Sequence, residues 1–408
     1  MLKYLRIATH DFYGAGSASV SVVQNLRKKG IDAKLLVQYK KSSYDYVIGL
    51  HNYHSLWGKL LYISGYLIRK FYRKFIVIDN KYLFLDFQQN SISADKLLKL
   101  YGDIPDVISC AWTSNFISNK TIKELKEKTG AKVVIEMTDN SPLTGGCHYP
   151  WDCRGFTLDC YPCPALRKGC KRAQKTLLLK KNNITPDIMI SGTTNDCIRA
   201  KDSVIFRNNI VIPTVYLPKN PYSFPKSSGR EKWNVPEGNF VIFCGAKDLS
   251  EERKGFHYLM DALEKAKPFF GDSKRITLLV AARDLIDFPE DYDVRVVGML
   301  GQEDLYRAYC CADLFVCTSV EDSGPLMVNQ AFMANTPVLA FRTGVALDLI
   351  EHKKNGYIAN LKDSTDLCDG LIWCYSHNIE IHDTIVEVNS NIAHYCYIHK
   401  RAGKYLGL

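Results

Sequence analysis

The 408-residue chain contains no predominantly apolar run approaching the roughly 20 residues that a membrane-spanning helix needs. Its opening residues, MLKYLRIATHDF, run straight into a strand pattern, so neither a cleaved leader nor an integral anchor is expected. It also lacks the cysteine layout of an extracellular framework. The 14 cysteines are spread over a long chain, and Cys244, Cys310, Cys311 and Cys317 fall inside apolar patterns typical of buried thiols, which points to a reducing cytoplasm. Nothing reads as a nucleic-acid recognition helix or stacking sheet, so no nucleic acid is expected as a partner. The formal charge of +10 nevertheless favours acidic partners such as phosphates or anionic lipid. What is present is a hydrophobic content of 46% with 24% charged residues, the composition of a folded chain long enough for two or three domains.

The legible order is an alternation of strand and helix. The stretch 312–350, ADLFVCTSVEDSGPLMVNQAFMANTPVLAFRTGVALDLI, reads as strand, loop, helix, strand, loop, helix. Leu314, Phe315 and Val316 form an apolar run, and Pro325 stands where a first helical residue tolerates its missing N–H. Such units build parallel sheets, whose ligands lie beyond the carboxyl ends of the strands. The loop 321–324, with Asp322, Ser323 and Gly324, is therefore the expected ligand site. The free N–H groups of Leu326 and Met327 at the helix start suit a phosphate.

Further strands are expected at 4–9, 34–37, 106–112, 132–137, 187–191 and 211–213, then at 240–244, 276–281, 294–297 and 337–341. Helices are expected over 20–29, from 193, up to about 267, from 302 and from 363. Periodicity fails over 214–239, which carries four prolines and reads as a linker between a first domain at 1–213 and a second at 240–385. In the first domain, Gly14, Ala15 and Gly16 read as a tight turn that brings backbone close to a ligand. As a dinucleotide fingerprint the turn is weak, because Ser19 replaces the third glycine. Asp139, at the end of the strand 132–137, is either a ligand-facing carboxylate or an Asx-turn that shapes its loop.

A cysteine-rich loop at 144–172 follows. Two residues separate Cys160 from Cys163, the spacing that lets both sulfurs reach one tetrahedral zinc, while five separate Cys147 from Cys153. A structural zinc and thiols packed without metal both stay open. A catalytic zinc is not expected, since four thiolates leave no open position. The basic run RKGCKRAQKTLLLKK reads as a solvated face, or as a cover for a phosphate-bearing acceptor. Residues 55–76 form a basic amphipathic pattern, with Trp57, Leu60, Leu67, Ile68, Phe71 and Phe75 at helical spacing and Lys59, Arg69, Lys70, Arg73 and Lys74 mostly opposite. A surface helix covering the sheet is favoured, because most surface helices carry this pattern. A helix lying in a membrane interface is the other reading.

Taken in order, these segments resemble retaining GT-B glycosyltransferases of family 4. Asp322 and Gln330, with seven residues between them, stand where that family has two Glu residues, one near the transferred sugar and one holding the nucleotide ribose. Both depart from the pattern, although Gln330 can still bond ribose hydroxyls. One register back, the pair would be Glu321 and Asn329. Lys254 with Gly255 resembles the Lys-Gly element that clamps the donor diphosphate, and Lys247 or Arg253 would substitute for the family's arginine. Gly14-Ala15-Gly16 resembles its opening Gly-Gly-Ala turn. The run TGGCHY at 144–149 matches a bacterial polysaccharide-assembly subgroup, with Asp139 matching an upstream Asp while Thr138 and Ser141 depart.

The resemblance implies an α/β chain of GT-B architecture, two Rossmann-like domains facing a central cleft, with the tail 386–408 packing back on the first. It further implies transfer of a sugar, with retention and without a catalytic metal, from a UDP- or GDP-sugar to a glycan or lipid-linked acceptor in cell-surface polysaccharide synthesis, such as lipopolysaccharide or capsule. Asp322 would orient the sugar, Gln330 the ribose and Asp139 the acceptor. The expected enzyme is cytoplasmic, with 55–76 offering a contact to the inner face of the membrane. The alternative, which would explain the substituted acids, is a non-catalytic nucleotide-sugar or glycan-binding protein.

Overall fold

The computed structural model describes residues 1–86, 88, 92–183, 186–213, 223–284, 287–324, 326–377 and 379. They form two compact units, each built on one parallel sheet. The first sheet comprises β1 (Lys3–His10), β2 (Asp32–Lys40), β3 (Val47–Asn52), β4 (Val107–Cys110), β5 (Lys132–Glu136), β6 (Ile188–Ser191) and β7 (Val211–Pro213), in the order β3-β2-β1-β4-β5-β6-β7. The second comprises β8 (Phe240–Asp248), β9 (Ile276–Asp284), β10 (Asp293–Val296), β11 (Leu314–Cys317), β12 (Val338–Phe341) and β13 (Gly356–Ala359), in the order β10-β9-β8-β11-β12-β13. Strand β4 and strands β11 and β12 are buried at every residue, which is why they read as short unbroken apolar runs, whereas β13, equally buried, opens on Gly356 and was not expected. In each sheet the strand order reverses once, between β1 and β4 and between β8 and β11. Ligand sites are expected beyond the carboxyl ends of those pairs.

Several elements differ from the sequence reading. The first helix is Tyr13–Arg27, so Gly14, Ala15 and Gly16 lie in its opening turn and not in a tight turn ahead of it. A Cβ on Gly16 would sit 2.6 Å from the His10 carbonyl, so the glycine lets the helix start against the end of β1. Strand β3 escaped notice because most of its residues are half-buried and leave no clean alternation. The expected linker contains a helix, Lys226–Lys232, which the lack of periodicity concealed. Gly229 packs on Cys311 of the Gln302–Cys311 helix, and Arg230 and Lys226 both reach Asp313, so this helix belongs with the second sheet. The remainder of that linker at 214–222, the end of the second domain at 380–385 and the tail 386–408 lie outside the described residues.

The basic run after the cysteines is not uniformly solvated. Lys180, on the helix Arg172–Asn182, is 1% exposed. Its ammonium lies 2.7 Å from Asp86 Oδ2 and donates to the carbonyls of Ser141 at 2.6 Å and Thr144 at 3.0 Å. A buried lysine is tolerated only with such full compensation. Here it ties the loop after β5 to the helix behind it. The same loop is pressed close: a Cβ on Gly145 would lie 2.3 Å from the Ala173 carbonyl. Replacing Lys180 by Met would leave Asp86 buried without its partner and should cost about 3–5 kcal/mol in the urea unfolding of the first unit. Lys180→Met with Asp86→Leu should recover part of that loss.

Candidate functional site

In the second unit, the carboxyl ends of β8 and β11 converge on one charged cluster. After β8 the chain makes a single turn at Glu252–Lys254 and enters the helix Phe256–Ala266 through Gly255. Gly255 has φ +61°, and a Cβ there would lie 2.3 Å from the Thr318 carbonyl. Only glycine fits this position. The two loops are further joined where Thr318 Oγ1 donates to the Lys254 carbonyl at 2.8 Å and Val320 N to the Arg253 carbonyl at 2.8 Å.

This interlock sets the side chains. Arg253 Nη1 and Lys254 Nζ each lie 2.9 Å from the same oxygen, Asp322 Oδ2. Glu251 holds the other edge of the Arg253 guanidinium. Burial opposes the charge on Asp322, but Lys254 and Arg253 outweigh it and hold its carboxyl below the ordinary range. Of the two cations expected to replace the family arginine, Arg253 is thus the one paired with Asp322, while Lys247 is exposed near the end of β8. Gln330 lies on the helix Leu326–Met333 and accepts from the Tyr309 hydroxyl at 3.4 Å. Asp322 and Gln330 are half-buried, whereas Glu321 and Asn329 are each 4% exposed. Of the two registers, Asp322 with Gln330 is the more accessible pair. Ser323 is buried, Gly324 has φ +138°, Leu326 is exposed and Met327 half-buried. Pro325 lies outside the described residues.

In the first unit, the ends of β1, β4 and β5 carry His10, Trp112 and Asp139. Asp139 is buried and both its oxygens are engaged: Oδ1 accepts from Ser141 N at 2.7 Å, and Oδ2 lies 2.7 Å from His148 Nδ1. Burial opposes its ionisation, and His148 and Ser141 overcome that, keeping the carboxyl below its ordinary range. Nδ1 also lies 3.4 Å from Trp112 Nε1, so Asp139 and Trp112 together fix the ring and turn Nε2 away from the carboxylate. His148 is 1% exposed, and its Nε2 has no hydrogen-bond partner among the described residues. Such an atom can be satisfied by a ligand hydroxyl. Of the two readings of Asp139, the Asx-turn is what the structure shows: Oδ1 caps Ser141 N and Oδ2 is taken by His148, so the carboxylate is not open to a ligand. The sequence contained His148 only as one letter of the TGGCHY run. Trp112 packs 5.1 Å from the His10 ring. With Thr138, Ser141, Asp86 and Lys180 it lines a polar cavity. Gly14, Ala15 and Gly16 bring the first helix to this end of the sheet.

Cys147, Cys153, Cys160 and Cys163 do come together, around an apolar cavity with Tyr82, Phe84 and Phe156. Burial pushes the Cys160 thiol up to about 12 and the Cys163 thiol up to about 11, and raises Cys147 further. Among the described residues, no group of three or more His, Cys, Asp or Glu side chains is placed to hold a metal ion.

Residues 238–377, which include Lys247, Arg253, Lys254, Asp322 and Gln330, match the family described as Glycosyl transferases group 1. A stretch of 162 residues is 25% identical to an uncharacterized glycosyltransferase of Methanocaldococcus jannaschii, spanning 36% of this chain and 40% of the relative. Among solved structures, the chain is similar to a sucrose-phosphate synthase from Thermosynechococcus elongatus, with a TM-score of 0.66 and 12% identity over 99% of this chain and 98% of that one. It is also similar to HepE of Anabaena in complex with UDP and glucose, with a TM-score of 0.60 and 15% identity over the whole of both chains. At these identities the likeness is one of fold: two Rossmann-like units in the GT-B architecture.

The charge cluster has a pH signature. Because the folded-state pKa of Asp322 is depressed, its contribution to stability is complete above the ordinary carboxylate value of about 3.9. It is lost as pH falls through the lower folded value. Thermal unfolding of the second unit should show this acid-limb loss in the native protein and a shallower one in Asp322→Asn.

Proposed function

We propose that the chain is a glycosyltransferase that moves a sugar from a nucleotide diphosphate donor to a glycan or lipid-linked acceptor in cell-surface polysaccharide synthesis. The observation that carries this reading is the convergence of Arg253 and Lys254 on Asp322 where β8 and β11 end. Breaking a bond to a nucleotide diphosphate leaves negative charge on the departing phosphate. Fixed cations offset that charge without a metal, at no cost of reorganisation during the reaction. Lys254 carries three protons and directs one to Asp322, so it can answer the diphosphate while Asp322 faces the sugar. Gln330 replaces a carboxylate with an amide that still both donates and accepts, which suits ribose hydroxyls. Capture of HepE with UDP and with UDP-glucose supports a UDP-sugar as the donor to try first. Retention at the anomeric carbon is the expected stereochemistry. In the first unit, His148 Nε2, on a ring held by Asp139, would bond the acceptor hydroxyl.

Thermal stability measured against UDP-, GDP-, ADP- and CMP-sugars tests the donor site. One nucleotide should stabilise the protein by about 2–3 kcal/mol at a hundredfold excess over its Kd, and Lys254→Ala should remove most of that gain. Free nucleotide should appear slowly with the same donor. Stabilisation without turnover under any acceptor would favour the binding-protein reading, and no shift with any nucleotide would sink the donor site. His148→Ala should lower kcat by about 10²-fold while leaving the donor-induced shift intact.

A further inference from the structure

The helix Leu56–Ile76 faces the opposite way from an ordinary surface helix. Its inward stripe is Gly58, which is buried, followed by Tyr62, Gly65, Arg69, Arg73 and Ile76, all half-buried. Both arginines thus lie on the protein side. A Cβ on Gly65 would lie 3.0 Å from the Arg69 guanidinium, and Arg73 Nη2 donates to Asn80 Oδ1 at 3.1 Å. The apolar residues point outward: Trp57 is 75% exposed, Ile68 68%, Phe71 67% and Leu67 55%. At 1.5 Å per residue, the 21-residue helix offers a ridge about 31 Å long. Exposed apolar surface of that extent marks an interaction site.

Its charge says what it fits. Lys59, Lys70 and Lys74 are exposed along the helix. The cysteine-rich loop then adds a second group of cations at its far end. Ile78 N donates to the Ala165 carbonyl at 2.9 Å, and Arg167 N to that of Ile76 at 3.0 Å, which fixes Arg167, Lys168 and Lys171 close to the end of the ridge. The Arg172 guanidinium lies 5.8 Å over the Tyr72 ring. Neither 53–78 nor 160–183 contains a single Asp or Glu. A second copy of this chain on the same face would bring like charges together. An apolar ridge bordered mainly by cations, with Asp79 beyond its end paired to Lys81, matches the interface of an anionic bilayer, where the acyl boundary takes the aromatics and the headgroups take the lysines. No helix among the described residues is long and apolar enough to cross a membrane, so the contact would be interfacial.

We infer that the first unit docks on an anionic lipid surface through the outward face of Leu56–Ile76, with the cations at 167–171 as a second contact. This surface is separate from the donor site and does not depend on it. Cosedimentation of the full-length protein with phosphatidylcholine vesicles, with and without phosphatidylglycerol, tests the inference. Binding should require phosphatidylglycerol and weaken with salt. Lys70→Gln with Lys74→Gln should weaken it roughly tenfold or more, and Leu67→Ser with Phe71→Ser should abolish it without changing the thermal transition, since both side chains are already exposed. The inference is overturned if the native protein ignores anionic vesicles or if Leu67→Ser with Phe71→Ser binds like the native chain. It is equally overturned if that variant instead converts a dimer to a monomer in gel filtration, which would make the ridge a protein interface.

Discussion

Parallel pairing is the constraint from which the rest follows. Neighbouring parallel strands cannot be joined by a tight turn, so each connection must cross over a face of the sheet before the next strand begins. Every strand therefore ends on the same edge, and wherever the strand order reverses, two crossovers leave in opposite directions and open a crevice. Both sheets of this chain reverse once, at β1/β4 and at β8/β11. The charge cluster stands at the second of these places, and Asp139 and His148 lie on the loop that leaves β5, the strand beside β4.

Holding polar groups at those edges takes compensation. In the second unit Asp322 gathers two cations, and glycine at 255 lets the loop that bears them lie against Thr318. In the first, Lys180 reaches from a helix to Asp86 and two loop carbonyls, so that the loop carrying Asp139 and His148 has a buried ionic anchor at its root. The two solutions share a logic: an ion pair too buried to be rearranged cheaply fixes a loop that has few regular backbone hydrogen bonds of its own. In the first unit that anchor lies beneath the loop that presents His148 Nε2, and in the second Lys254 is itself part of the pair.

The alternation of strands and helices was legible because buried parallel strands are short apolar runs bounded by turn residues, as at Leu314–Cys317 and Val338–Phe341. Lys254-Gly255 was singled out only through the resemblance, since a lysine beside a glycine reads by itself as a charged surface loop. His148 was not legible, since its role depends on a carboxylate nine positions earlier folding back on it. The pairing of Arg253 and not Lys247 with Asp322 was equally hidden, because only the structure shows that Lys247 lies in β8 while Arg253 lies in the turn Glu252–Lys254 beyond it. The helix Lys226–Lys232 went unseen because its seven residues are almost all polar and give no period.

By itself the sequence determined the class of fold, the alternation of strands and helices in both halves and the amphipathic character of 56–76, all properties carried by residues near one another in the chain. The tertiary structure decided which of those residues meet. Periodicity gives the direction of a helix's apolar face but not whether that face looks toward the protein or away from it. For Leu56–Ile76 the inward side is marked by Gly58, where a Cβ would lie 1.8 Å from the Asn52 carbonyl at the end of β3, so the stripe running from it through Arg69 and Arg73 lies inward and the aromatic side is turned out. In the same way, Asp322 was visible as an acid ahead of a helix, while its pairing with Arg253 and Lys254 exists only because β8 and β11 are neighbours in the sheet.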